Sequence, residues 1–421
     1  MLLKLARKGL VELISANFMM QFVGFGLLIL LPRFVSEAEI GRIKVLQTYT
    51  DLLVIVAGLG MNTAILKLCA EHRPDPEKHG LLRFAAVRTL VSSLLVVAVV
   101  AIVASTVGLG TDPVVNAWLP VYALIVPTSA LALLAAAYLQ ALKDIRKMAR
   151  AQVLVRLQSV ALILLATWQF GLPGFVISSV AAFALGLWPY IRLIGLDFLR
   201  AVRPAVDRGF REIAGYSLLG NVMNTVGKYA DIYVLGLFAL DPVQLGYYSL
   251  ATIFVIPASV ITSSIQTIVT PYLAEQSGDR AWFGRALVRT QLQTVLVAVL
   301  AAFAARGAAT VAVHFLYDGG YAASLHFLDV LLVFFVLRSG YAVTAAGHIA
   351  LGLTRYNFIA STLMAVLALA LTYGALDRFG FTGVAWAKVA TAGVMILVYA
   401  YLGRRAVRAI PREAEQPDAK S

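Results

Sequence analysis

The chain has 421 residues, 60% of them hydrophobic and 14% charged, with a mean hydropathy of +0.84. That exceeds what a soluble globular domain buries, and apolar runs of about 20 residues recur to the end, which also excludes the short alternating strands of an outer-membrane barrel. The formal charge of +13 does not indicate nucleic acid, because the cations cluster in alternate loops, the positive-inside pattern of a membrane protein.

Lys4, Arg7 and Lys8 precede an apolar run too long for a signal-peptide core, so a retained first helix is expected. The pattern predicts an all-α polytopic membrane protein with twelve transmembrane helices, at 10–31, 45–67, 84–107, 118–141, 153–170, 174–195, 214–238, 245–270, 287–305, 325–346, 358–376 and 384–403. Arg306–Ser324, which contains YDGGYAAS, reads as an external loop with a partly embedded segment. With both termini cytoplasmic, the inner loops hold 25 Lys and Arg against 5 outside, a bias that rejects the inverted orientation. Cys69 is the single cysteine and excludes an intramolecular disulfide.

The chain repeats itself. Phe170-Gly171-Leu172-Pro173-Gly174 matches Phe379-Gly380-Phe381-Thr382-Gly383 at an offset of 209, as Arg146 matches Arg355. Asn17 and Asn221, Phe34 and Phe238, and Glu71 and Glu275 share an offset of 204, and Gly41 and Gly246 differ from it by one. Six spans per half give both halves the same orientation, a parallel repeat about an axis along the membrane normal. The expected division is an N-terminal six-helix lobe over 1–200, a cytoplasmic linker at 201–213, a C-terminal lobe over 214–405 and a cytoplasmic tail at 406–421.

The seventh span carries Asn221, Asn224, Lys228 and Asp231, spaced to share one helix face. A polar stripe on a spanning helix must face other helices or a water-filled cavity. Lys228 therefore either lines a cavity for an anionic substrate or pairs with Asp231 at i,i+3. The first span offers Asn17, Gln21 and Gly24 on one face. The second has Arg42 and Lys44 at its outer mouth, then Thr48 and Asp51, and the eighth carries Thr252, Ser259, Thr262, Ser263 and Gln266. Hydroxyls and amides of this kind also serve simply to join helices.

Arg88, Arg192 and Lys388 lie a turn from a span end and are expected to snorkel to the interface. Lys228 and Arg338 lie near mid-span, where a cation costs about 2.5–3.5 kcal/mol on insertion scales. A passing pyrophosphate would account for both, since Lys and Arg bind phosphate oxygens strongly. A carboxylate from another span is the competing partner for Arg338. Asp51 and Asp231 are candidates for coupling to H+ or Na+.

Other signals are weaker. Cys69, His72, Glu77 and His79 resemble metal ligands but fall in a solvated loop, and no metal or other cofactor is expected. Gly24-Phe25-Gly26 and Gly58-Leu59-Gly60 suggest close helix packing rather than a phosphate loop. There is no Walker A motif and no nucleophile–base–orienter set, so neither an ATPase nor another enzyme is expected.

Four stretches carry a family resemblance: SEAEIGRIKVLQT after the first span, LGYYSLATIF opening the eighth, GLTRYN before the eleventh and FGFTGVAWAKVAT opening the twelfth. Together they resemble the multidrug/oligosaccharidyl-lipid/polysaccharide (MOP) exporter superfamily, and within it the bacterial polysaccharide-unit flippases of the Wzx type. The resemblance extends over essentially the whole chain. It implies two six-helix lobes in a V around a central cavity, lying in the bacterial inner membrane. The implied substrate is an undecaprenyl-pyrophosphate-linked sugar unit, moved from the cytoplasmic to the outer leaflet. A polysaccharide polymerase complex is a candidate partner, besides the bilayer itself. The alternatives are a cation-coupled multidrug exporter of the same superfamily, a membrane polysaccharide polymerase or ligase, and a non-transporting scaffold. A multidrug exporter would favour acidic cavity residues, and a polymerase would carry large outer loops with basic and His residues.

Overall fold

Apolar side chains on long helices set this architecture, and every regular element among the described residues is helical. A computed structural model describes residues 24–71, 73–201, 208–239 and 241–410. A short apolar helix, Gly24–Arg33, comes first. Helix α1 (Glu37–Gly58) opens with a capping box, in which Ser36 Oγ accepts from the Glu39 amide and the Glu39 carboxylate accepts from the Ser36 amide at 2.9 Å. It ends where Leu59 and Gly60 turn left-handed, and α2 (Met61–Ala70) leaves at a bend of 49°. The Gly58-Leu59-Gly60 stretch is therefore a break within the second span.

Helix α3 (Asp75–Thr106) follows, then α4 (Pro113–Tyr122) and α5 (Ile125–Ala141), a pair bent by 47°. Helix α6 (Ile145–Ile194) runs 50 residues, twice what a bilayer needs, and breaks at Gly171. Helix α7 (Arg208–Phe238) is kinked at Tyr229, whose φ and ψ are −115° and 19°. Helices α8 (Pro242–Glu275) and α9 (Arg280–Val311) come next, and α9 continues into a π turn at Ala312–Leu316. The stretch expected to be a loop from Arg306 is thus helical to Leu316, because Ala-rich sequence there sustains the backbone ladder. Helices α10 (Ser324–Ser339) and α11 (Ala342–Ala350) form one interrupted span, and α12 (Thr354–Arg408) breaks at Gly380.

Among the described residues, six helices are long and apolar enough to cross a membrane, or eight if each bent pair is one span. Helix α7 is not among them, because its amides, Lys228 and Asp231 dilute its hydropathy. Exposed side chains on α9 recur at Val288, Leu292, Leu296, Leu300 and Phe303, and on α3 at Val87, Val91, Leu95, Val99 and Ile102. A continuous exposed stripe of this kind faces hydrocarbon rather than water. The protein is a multi-pass helical membrane protein.

The chain divides into two compact units. One comprises Met1–Val226 with Gly236–Gly246, the other Gly227–Leu235 with Tyr247–Ser421. In the first, Ile65, Leu68, Leu81, Leu82, Leu134 and Phe210 form a buried core. In the second, Leu273, Phe283, Leu287, Val343 and Ile410 do so.

The sequence repeat is also a conformational one. Gly171 has φ 59° and ψ −139°, and Gly380 has φ 59° and ψ −151°. This region strains any residue with a Cβ, which explains a glycine at both breaks. Three residues on, a Cβ on Gly174 would lie 2.1 Å from the Ala166 carbonyl oxygen, and one on Gly383 would lie 2.7 Å from that of Ala375. Each F-G-x-x-G motif therefore turns the chain and presses it onto the helix it has just left.

Candidate functional site

In the second unit, polar side chains converge on Asp231, which is only 1% exposed. Its Oδ2 accepts from the Tyr248 hydroxyl on α8 at 2.7 Å and from Lys388 Nζ on α12 at 2.7 Å. Lys388 Nζ also lies 3.4 Å from the Lys228 carbonyl oxygen and 5.0 Å from the centre of the Phe334 ring. The kink at Tyr229 falls between Lys228 and Asp231, so the regular-helix face that would join them is broken there. Asp231 turns inward while Lys228 is exposed, with Nζ 4.7 Å over the Tyr229 ring. Lys388, expected to snorkel to an interface, instead points to this buried carboxylate. The lysine stem is long enough for either course, and a desolvated anion outcompetes water for it. Two of the four family-like stretches thus meet here, since LGYYSLATIF supplies Tyr248 and FGFTGVAWAKVAT supplies Lys388.

Arg338 ends α10 and is exposed. Its guanidinium hydrogen-bonds the Tyr341 side chain, and no described carboxylate forms an ion pair with it. Tyr341 stacks on Tyr399 at 4.8 Å and 7°. His348 stacks on the same Tyr399 at 5.8 Å. His348 Nδ1 meets Asn357 Oδ1 at 2.9 Å, and Asn357 Nδ2 donates to the Ala345 carbonyl at 2.9 Å. Asn357 belongs to the GLTRYN stretch, whose role is to close the α11–α12 turn onto this aromatic column. Sequence spacing does not reveal the column, because Tyr341 and His348 flank and end α11 while Tyr399 comes from the far part of α12.

The α8 polar residues mostly satisfy themselves. Thr252, Ser259, Thr262 and Ser263 each donate to a carbonyl three or four residues back on their own helix. Gln266 instead donates to the Ala342 carbonyl at 2.8 Å. On α9, Gln291 donates to the Ser339 carbonyl at 2.5 Å and accepts from the Val343 amide at 3.0 Å. Gln291 thereby satisfies two backbone groups that the α10–α11 interruption leaves without helical partners, the last carbonyl of α10 and an amide in the first turn of α11.

In the first unit, Arg42 Nε binds Asp112 Oδ2 at 2.7 Å, while Asp112 Oδ1 caps α4 through the Val114 amide at 2.8 Å. Lys44 is half-buried, and Asp51 is exposed within electrostatic reach of Tyr122. Asn221 donates to Ser217 Oγ at 3.3 Å, and Asn224 is exposed. Glu39, besides its cap, accepts from the Leu172 amide at 3.3 Å beside the Gly171 break. Asn17 and Gln21 lie outside the described residues. Arg156 on α6 is half-buried with its guanidinium against the Gly24 backbone.

Arg88 and Arg192 lie over Phe84 and Trp188 on their own helices, 5.6 and 5.5 Å from the ring centres. Of the loop residues weighed as metal ligands, Glu77 is bound by Arg73 at 2.5 Å and His72 lies outside the described residues. Among the described residues no three His, Cys, Asp or Glu are grouped to hold a metal.

Solved structures share this fold across nearly the whole chain. A structure described as lipid II flippase MurJ in an inward closed conformation superposes with a TM-score of 0.78 at 13% identity, covering 95% of this chain and 90% of that one. An inward-facing MATE-family multidrug resistance transporter of the MOP superfamily gives 0.73 at 14% identity, over 93% and 95% of the two chains. A MOP transporter from Pyrococcus furiosus gives 0.64 at 12% identity, over 95% and 96%. No curated protein sequence matches the chain. The chain shares the fold of these solved transporters. Residues 6–277 match the family described as "Polysaccharide biosynthesis protein", and the chain belongs to that family.

Proposed function

We propose that this protein is a flippase that carries undecaprenyl-pyrophosphate-linked oligosaccharide units from the cytoplasmic to the outer leaflet, for surface polysaccharide synthesis. It would lie in the bacterial inner membrane with both termini cytoplasmic, passing its product to a polysaccharide polymerase complex. The observation that carries the reading is Arg338, a membrane-depth cation left exposed with a tyrosine as its partner rather than a carboxylate. Family membership supplies the polysaccharide context.

The proposed head-group site comprises Lys228, Arg338, Asn221, Asn224, Asn17, Gln21 and Lys44. Lys228 and Arg338 take phosphate oxygens as charge-assisted donors, and the amides take sugar hydroxyls. Arg42 belongs to the set through its position, although Asp112 already neutralises much of its charge. A pyrophosphate diester carries about two negative charges, and export against an inside-negative potential of ~100 mV is downhill by roughly 2.3 kcal/mol per charge. The membrane field therefore favours release outward, and the protein need only offset head-group desolvation while the lipid tail stays in the bilayer. Asp51, exposed and ionisable, is the proposed site for ion-coupled resetting by alternating access.

Lys228→Ala and Arg338→Ala, tested separately, should abolish surface polysaccharide while the membrane level of the protein stays normal. Unchanged glycan in both would refute the phosphate-binding role. The multidrug reading has support in the shared fold, but exposed basic residues repel cationic drugs. Unaltered drug sensitivity in a deletion strain would separate the two.

A further inference from the structure

We infer that Lys388 is a built-in counter-cation, whose ammonium fills the place on Asp231 that a monovalent metal ion would otherwise take. The second unit then holds its buried carboxylate charge-matched without Na+ or K+.

The surroundings of Lys388 Nζ are those of a cation site. It has a carboxylate oxygen at 2.7 Å, a main-chain carbonyl oxygen at 3.4 Å and an aromatic face at 5.0 Å. Oxygen ligands and a ring face are what a hard or organic cation binds. The carbonyl belongs to Lys228, immediately before the non-helical Tyr229, so the kink in α7 contributes to the site. The Tyr248 hydroxyl donates to the same Asp231 oxygen and holds the carboxylate as an acceptor.

Charge arithmetic decides between one cation and two. Asp231 and Lys388 sum to zero, with side chains 1% and 14% exposed, and no other described carboxylate forms an ion pair with Lys388. An inorganic cation added to this pair would leave a net positive charge in a poorly solvated place, which is costly. Asp231 Oδ1, by contrast, is buried and has no hydrogen-bond partner. Once the ammonium is removed, both carboxylate oxygens and the Lys228 carbonyl are available to a small ion. The lysine therefore excludes metal while it is present and leaves a metal site when it is not. This inference goes beyond the flippase reading and does not depend on the substrate.

The test uses the full-length protein purified in detergent, with thermal unfolding and 22Na+ binding followed in NaCl against choline chloride at constant ionic strength. The wild type is expected to show no Na+ response that depends on Asp231. Lys388→Ala should unfold at a lower temperature in choline and recover saturably with NaCl. The double variant Asp231→Asn/Lys388→Ala should lose that recovery. A folded Lys388→Ala protein indifferent to Na+ overturns the proposal. If Lys388→Ala does not fold, the wild type is compared with Asp231→Asn/Lys388→Met, which carries neither charge. Na+ binding present in the wild type and absent from that variant overturns the proposal, and equal Na+ behaviour in the two upholds it. No substrate enters the assay, so its outcome is separable from the loss of surface glycan.

Discussion

Gly171 and Gly380, 209 residues apart, hold the same left-handed backbone conformation, with φ 59° in each. Each interrupts a helix too long to be a single span, and each is followed after three residues by a glycine seated on the preceding helix. The two halves therefore make the turn between their fifth and sixth spans by one mechanism.

That mechanism predicts different penalties at the two glycines of a motif. Gly171→Ala and Gly380→Ala each meet only backbone strain, about 1–3 kcal/mol, because any neighbour stands 3.5 Å or more from the added Cβ. Gly174→Val should cost more than either, since its Cβ would overlap a helix carbonyl. Thermal unfolding in detergent should rank Gly174→Val lowest, and equal melting of all three variants would contradict the account.

The Asp231–Lys388 pair predicts strong non-additivity. Asp231→Asn leaves a lysine ammonium in a largely buried place, a loss on the order of 3–5 kcal/mol for breaking a buried pair. Asp231→Asn/Lys388→Met removes both charges and should recover most of that loss. A thermal or chemical unfolding cycle on four proteins measures the coupling, and simple additivity would show that the two groups do not interact.

Gln291→Leu should weaken the α10–α11 interruption. It leaves the Val343 amide and the Ser339 carbonyl without their partner, at about 1–3 kcal/mol for each buried group stranded. Amide exchange should accelerate locally around 339–345. Gln291→Glu keeps the acceptor for Val343 and should lie between the two.

Cysteine scanning along α7 should distinguish water-reachable from buried positions. In a Cys69→Ser background, cysteines at 221, 224 and 228 should react with a charged methanethiosulfonate reagent, since Asn221, Asn224 and Lys228 are exposed. A cysteine at 231 should be protected, because Asp231 is 1% exposed. Protection at all four would place this face against lipid or protein instead of water.

Much of the architecture was legible in the residues alone. Runs of about 20 apolar residues have few alternatives to a membrane helix, because every backbone polar group in a bilayer must be satisfied within the segment. The repeat was legible because glycines at a fixed offset answer the same local backbone demand. Partner choice was not legible. Lys228 and Asp231 stand at helical spacing, yet a single non-helical residue, Tyr229, separates them. Lys388 lies 157 positions away from the carboxylate it neutralises. Helical periodicity reports which residues share a face only while the helix stays regular, and it carries no information about which distant helix supplies a counter-charge. Composition and periodicity determined that this chain spans a membrane as two related halves. The tertiary structure decided which of its intramembrane charges are spoken for, because burial and pairing depend on packing between segments far apart in sequence.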